Sequence, residues 1–131
     1  MNTDQMNHYR SKLAFEIDSW DLYEALTGNE PVVVIDGRSA EAYAREHIPG
    51  SLNLPHREIG EAATATLDRS SFYVCYCDGI GCNASTKTAL KLLVLGFRVR
   101  ELMGGLDWWK RDGYATAGDQ SQAGAAIACG C

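Results

Sequence analysis

The stretch Phe72–Phe97, FYVCYCDGIGCNASTKTALKLLVLGF, changes its period twice and thereby sets the fold class. Phe72 to Cys77 is short, apolar and aromatic, the composition of a strand buried on both faces of a parallel sheet. Asp78 to Gly81 is a tight loop with two glycines. From Asn83 or Ala84 onward, Ala89, Leu92 and Leu93 recur at helical spacing, with Lys87 and Lys91 sharing the other face. Gly96 falls where a left-handed helix cap is expected. The order is strand, glycine loop, helix, with Cys77 closing the strand and Cys82 near the helix start.

Such a turn suits an anion or a thiolate. Unpaired amides at a helix N-terminus, with loop amides beside them, form a concave donor site for negative charge. A cysteine held there is expected to have a lowered pKa and to be a better nucleophile. Cys75 and Cys77 share a strand face, and free cysteines often only fill core space. Cys77, unlike Cys75, abuts the loop, so it is the candidate functional thiol.

This segment resembles the active-site segment of rhodanese-like sulfurtransferase domains, which carry "YC" at a strand end, a Gly-containing loop, a helix and "GF". The matching residues are Tyr76, Cys77, Gly79 or Gly81, Ser85, Ala89, Gly96 and Phe97. Residues 36–56, DGRSAEAYAREHIPGSLNLPH, match a second family pattern at Asp36, Arg38, Glu41, Tyr43, His47, Ile48, Pro49, Gly50, Asn53 and Pro55. A third match is Gly104, Gly105, Trp109 and Gly113. The resemblance spans about residues 14–115.

The rest of the chain reads as follows. Residues 1–12 form a polar, flexible lead-in, 13–116 one rhodanese-like domain, and 117–131 a flexible tail rich in Ala and Gly that ends Cys129-Gly130-Cys131. Ala14 to Ile17 is a possible short strand. Asp18 caps a helix that stops at Gly28. The β-branched run Val32 to Ile35 is a central strand. Ser39 caps a helix from Ala40 to about Glu46, Leu52 to Leu54 is a small strand, and 57–67 is alanine-rich and helical. Phe97 to Leu102 alternates as a further strand, and Trp109 packs the last helix on the sheet. The expected fold is α/β and rhodanese-like, with a mostly parallel sheet of about five strands and helices on both faces.

A net charge of −5 argues against general nucleic-acid binding. No run approaches the roughly 18–20 apolar residues of a membrane span. The start, MNTDQMNHYRSK, lacks the apolar core of a secretory signal. Five cysteines, three of them within Cys75–Cys82, read as reduced thiols rather than a disulfide framework. A cytoplasmic protein is expected.

The resemblance implies two-step sulfur transfer. Cys77 attacks the outer sulfur of thiosulfate or of a protein-bound or small persulfide, becomes a cysteine persulfide, and passes sulfur to a thiol or other thiophilic acceptor. The active-site loop would comprise Asp78, Gly79, Ile80, Gly81, Cys82, Asn83, Ala84 and Ser85. Cys82 would be a second thiol on the outer rim, able to form a disulfide with Cys77 under oxidation. Asp36 and Arg38 read as a structural charge pair. No metal or organic cofactor is required.

The chain also departs from the family. Rhodaneses that handle thiosulfate well often carry Arg or Lys in this loop, whereas here Asp78 stands and the first basic residue is Lys87. The related phosphatases need C-x5-R, and the sixth position after Cys77 is Asn83, which cannot fork onto a phosphate. Arsenate reduction lacks the same arginine. A non-catalytic rhodanese-like binding or regulatory module is the alternative reading, and a Cys-based redox or metal-handling module the third.

Overall fold

A computed structural model describes residues 2–124. Five strands form one sheet in the order β1-β5-β4-β2-β3: β1 (Glu16–Ile17), β2 (Val32–Asp36), β3 (Leu52–Asn53), β4 (Phe72–Tyr76) and β5 (Arg98–Leu102). Every pairing is parallel. The two apolar runs lie side by side in the middle, with Ile35 opposite Cys75 and Asp36 opposite Tyr76. Central parallel strands are covered on both faces, which is why β2 and β4 show no alternation in sequence.

Alternate residues feed two cores. Val34, Val74 and Tyr76 pack with Leu22 of α2 (Ser19–Thr27) and with Leu106 and Trp109 of α6 (Gly105–Arg111). On the other face Ile35, Tyr73 and Cys75 meet Leu92 of α5 (Ala84–Val94) and Phe97. Each such side chain, once fully buried, contributes about 1.5–3 kcal/mol. The caps follow their residue types. Asp18 accepts from the amide of Asp21 at 2.8 Å, Ser39 from that of Ala42 at 3.2 Å ahead of α3 (Ala40–Arg45), and Gly96 takes φ 94° after α5.

Three expectations change. The polar lead-in is helical: α1 spans Thr3–Phe15, capped by Asn2, so Ala14 and Phe15 are helix and only Glu16–Ile17 is strand. None of the α1 residues is buried, so no apolar stripe marked it. Residues 57–67 break into a 3-10 turn (His56–Glu58) and the one-turn α4 (Glu61–Thr64), because Gly60 lies extended between them. The tail is attached at its start. Ala117 and His47 exchange backbone bonds, Asp119 and Gln120 donate to the carbonyls of Ala44 and Arg45, and Gln122 reaches the carbonyls of Lys110 and Tyr114. Cys129 and Cys131 lie outside the described residues.

Among the described residues, no helix is long and apolar enough to cross a membrane.

Candidate active site

The loop from Cys77 to Asn83 leaves the C-terminal end of β4 and enters α5. At the end of the strand, Cys77 is 2% exposed, while Ile80 at the loop tip is 78% exposed. The start of the loop is held from outside: the amides of Leu106 and Asp107 donate to the carbonyls of Cys77 and Asp78 at 2.9 and 2.8 Å. These donors are free because they lie in the first turn of α6, where a helix has no internal acceptor to offer. A Cβ at Gly105 would overlap the Cys77 carbonyl oxygen, so only glycine lets α6 come this close. The amide of Cys82 closes a turn onto the Gly79 carbonyl at 3.2 Å. Among the described residues, the amides of Gly79, Ile80, Gly81, Asn83 and Ala84 donate to no protein acceptor.

Two residues assigned to the loop belong elsewhere. Ala84 and Ser85 are the first residues of α5. Ser85 donates to Glu101 Oε2 at 3.0 Å and Thr86 to the same oxygen at 2.9 Å, so both hydroxyls are drawn toward β5. Glu101 has no local sequence signal; it reaches the helix start only because β5 is the neighbour of β4.

Cys77 and Cys82 are joined by a disulfide, with their Cα atoms 6.2 Å apart. This is the pair that the sequence reading allows for under oxidation, but two other expectations change. The Cys82 sulfur turns inward to Cys77 instead of along the outer rim, and these two thiols are paired instead of free. The turn from Gly79 to Cys82 folds the four intervening residues back on themselves, which makes a local pair and not a framework. Cys75 stays free and fully buried. Burial, and then the charge of Glu101, pushes its thiol up to about 12.

Behind the loop lies a buried polar cluster. Arg38 forks onto Asp36 through Nε (3.0 Å to Oδ1) and Nη2 (2.7 Å to Oδ2), and Nη2 also donates to the Glu46 carbonyl at 2.6 Å. Its third nitrogen, Nη1, donates to Asp78 Oδ1 at 2.9 Å. The Tyr76 hydroxyl donates to Asp36 Oδ2 at 2.7 Å and accepts from the amide of Ile48 at 3.1 Å. Burial opposes the Arg38 charge, but the hydrogen bonds and charge of Asp36, followed by Asp78, outweigh it and raise its pKa above the ordinary value. Burial, then the Asp36 charge, likewise raises that of Tyr76. His47 is occupied in the adjoining turn, stacked on Tyr43 with Nδ1 2.7 Å from the Tyr43 carbonyl.

The loop faces an acidic surface. A cavity of about 510 Å³ runs from Gly79, Ile80 and Cys82 across to Trp108, and the ionisable side chains lining it are Glu16, Asp18, Glu101 and Asp112 besides the cysteine. A second hollow at the loop tip is bounded by Asp78 and Asp107. Both of these carboxylates are paired, Asp78 with Arg38 at 2.9 Å and Asp107 with Arg111 at 3.0 Å.

Fold and site together define an α/β domain that presents a cysteine loop where a central parallel strand hands over to a helix. The family model for the rhodanese-like domain matches residues 19–112, and the chain belongs to that family. It is 34% identical over 83 residues to the thiosulfate sulfurtransferase GlpE of Pseudomonas entomophila, covering 62% of this chain and 72% of that protein. Against the GlpE of Pseudomonas putida the identity is 33% over 87 residues, covering 65% and 76%. The crystal structure of the BH2092 protein of Bacillus halodurans superposes with a TM-score of 0.87 at 34% identity, over 99% of this chain and 96% of that one.

Proposed function

We propose that the protein is a rhodanese-type sulfurtransferase that carries sulfane sulfur as a persulfide on Cys77. The observation that supports this most directly is the position of Cys77, at the end of β4 and inside a loop closed by the start of α5. The unpaired loop amides and the helix N-terminus stabilise first the thiolate and then the persulfide anion. The sequence names these as donors in prospect, and the curated relatives bear sulfurtransferase names.

The chemistry is a displacement at sulfur. The Cys77 thiolate forms a bond to the outer sulfur of the donor, and the bond to the donor's leaving group breaks, releasing sulfite from thiosulfate or a thiol from a persulfide. A thiophilic acceptor then takes the sulfur and restores the thiolate. Because the disulfide occupies the Cys77 sulfur, two-electron reduction must come first, which a reducing, cytoplasmic setting supplies. No metal or organic cofactor enters these steps. The carboxylates lining the cavity beside the loop, Glu16, Asp18, Glu101 and Asp112, favour a monoanionic or protein-bound persulfide over dianionic thiosulfate.

The test is intact-protein mass after anaerobic treatment of reduced protein with glutathione persulfide or thiosulfate. Cys82→Ser should gain one sulfur atom and Cys77→Ser none. An adduct that survives in Cys77→Ser and vanishes in Cys82→Ser would move the nucleophile to Cys82. If neither donor leaves sulfur on any form, the enzyme reading gives way to a rhodanese-like binding module.

A further inference from the structure

We propose that Cys82 is a resolving thiol, so that the protein reduces the sulfane sulfur loaded on Cys77 to sulfide instead of only handing it to an external acceptor. This inference rests on the Cys77 persulfide reading and specifies what becomes of that persulfide.

The argument begins with reach. The loop already brings the Cys82 sulfur into bonding contact with that of Cys77, and the 6.2 Å between their Cα atoms lies inside the roughly 4.4–6.8 Å that a disulfide spans. The persulfide would therefore form beside a thiol that needs no diffusion to reach its inner sulfur. An intramolecular attack of this kind outcompetes external thiols present below its effective concentration, which is in the millimolar range or above, by order of magnitude. Access favours it too. Cys77 is 2% exposed, whereas Cys82 is half-buried and lines the open cavity.

The other described thiol is not equipped for this step. Cys75 is fully buried on the α5 side of the sheet, and burial holds its thiol protonated. Cys82 instead sits two residues before the start of α5, where the helix N-terminus favours a thiolate.

The step balances as follows. The Cys82 thiolate forms a bond to the Cys77 Sγ, the inner sulfur of the persulfide. The bond from that Sγ to the outer sulfur breaks, and the outer sulfur takes up the proton given up by the Cys82 thiol and leaves with the electron pair as hydrosulfide, which is a better leaving group than a cysteine thiolate. The sulfane sulfur gains two electrons, and the two cysteine thiols are oxidised to the disulfide seen in the structure. An external dithiol reductant then reopens the disulfide by exchange and is itself oxidised to a disulfide. Starting from thiosulfate, one cycle yields one sulfite, one sulfide and one oxidised dithiol.

The half of the loop nearer Cys82 has room to alternate between dithiol and disulfide. The Cys77 and Asp78 carbonyls are fixed to α6, but a Cβ at Gly81 would meet nothing within 4 Å. Movement can be confined to Gly79–Cys82 without disturbing the strand.

The experiment is a single turnover without reductant. Full-length protein is reduced, freed of reductant under anaerobic conditions, and given thiosulfate or glutathione persulfide. Sulfide, sulfite, intact mass and disulfide-linked peptides are then measured. Wild type should release about one sulfide per chain and lose the mass of two hydrogens as the Cys77–Cys82 peptide pair appears, while Cys82→Ser should keep the added sulfur and release less than about a tenth as much sulfide. The inference is overturned if wild type holds the added sulfur without releasing sulfide, if sulfide release is unchanged in Cys82→Ser and Cys82→Ala, or if Cys77 pairs with Cys129 or Cys131. A disulfide that forms without donor or without sulfide also overturns it, by showing simple oxidation. If Cys82→Ser takes up no sulfur from either donor, the persulfide reading itself fails, and this inference with it.

Discussion

Arg38 Nη1 donates to Asp78 Oδ1 at 2.9 Å while the opposite edge of the same guanidinium is forked onto Asp36. A side chain 8% exposed thus reaches from the buried cluster to one 72% exposed on the loop. Asp78 is not the unbalanced anion that its place in the sequence suggests. Even so, Asp36 and Asp78 share the one guanidinium of Arg38, Asp107 is balanced by Arg111 at 3.0 Å, and the cavity beside the loop is lined by Glu16, Asp18, Glu101 and Asp112 with no basic side chain among its lining residues. The loop therefore remains unattractive to a dianion.

Removing that carboxylate should help thiosulfate. In Asp78→Ala, Nη1 of Arg38 is released toward the loop and one negative charge is gone. The KM for thiosulfate should fall about three- to tenfold at low salt, with a smaller effect near 1 M salt. This variant is a cleaner test than Asp78→Arg, which would set a second guanidinium against Arg38. A KM that stays level or rises would show that the loop carboxylate does not govern donor choice.

Losing Arg38 should cost stability. Asp36 is fully buried, and in Arg38→Met it keeps the Tyr76 hydroxyl but loses its countercharge. Breaking a buried pair from one side costs about 3–5 kcal/mol. The urea midpoint at neutral pH measures it; a loss below about 1 kcal/mol would mean that Tyr76 and the backbone satisfy Asp36 unaided.

The parts of this architecture that sequence reasoning reaches are those with a local period or cap. Val32–Ile35 and Phe72–Cys77 announce buried strands, Asp18 and Ser39 announce helix starts, and the glycines after Cys77 announce the loop. What it misses has no such local mark. Helix α1 buries nothing, so its composition reads as a lead-in. Residues 117–122 are held through backbone groups and Gln122, which leave no apolar pattern. Glu101 and Arg38 come to the site across sheet neighbours, Glu101 lying 15 or 16 positions along the chain from its hydroxyl partners and Arg38 40 positions from Asp78. The charge pair Asp36–Arg38 is visible because it is local; its third partner is not.

Truncation separates the two boundaries. A chain ending at Thr116 loses the Ala117 bridge to His47, the bonds to Ala44 and Arg45, and all those of Gln122. A chain ending at Gly124 keeps them. At about 0.5–1.5 kcal/mol for each net hydrogen bond, the shorter chain should be less stable by a few kcal/mol, read as a lower urea midpoint. Equal midpoints would return 117–124 to the status of a dispensable tail.

Glu46 should make the fold sensitive to acid. Burial works against its charge, but hydrogen bonds from Lys110 and Thr116 and the charges of Lys110 and Arg38 outweigh it and lower its pKa below the ordinary value. A group depressed on folding stabilises the fold above its unfolded pKa, and that stability is lost as pH falls through the folded pKa. Glu46→Gln should therefore be less stable than wild type at neutral pH and should lose less further stability on acidification below the ordinary glutamate range. Parallel stability–pH curves for the two proteins would contradict this.

The placement of Cys77 should depend on a glycine in a different helix. Gly105 has φ 58°, and a methyl group there would overlap the Cys77 carbonyl oxygen while coming within 3.0 Å of the Gly79 amide nitrogen. The atoms it meets are backbone, so no side chain can swing aside. Gly105→Ala must therefore strain its own backbone, push α6 off the loop, or break the 2.9 Å bond from the Leu106 amide to Cys77. The combined cost should be about 2–4 kcal/mol. More telling is the rate of sulfur loading on the folded protein, which should fall by about tenfold or more, because the loop start shifts with its anchor. Gly81→Ala is the control: its methyl group would meet nothing within 4 Å, so stability should change by less than about 1 kcal/mol. Equal loading rates in Gly105→Ala and wild type would show that α6 supports the fold without positioning the thiol.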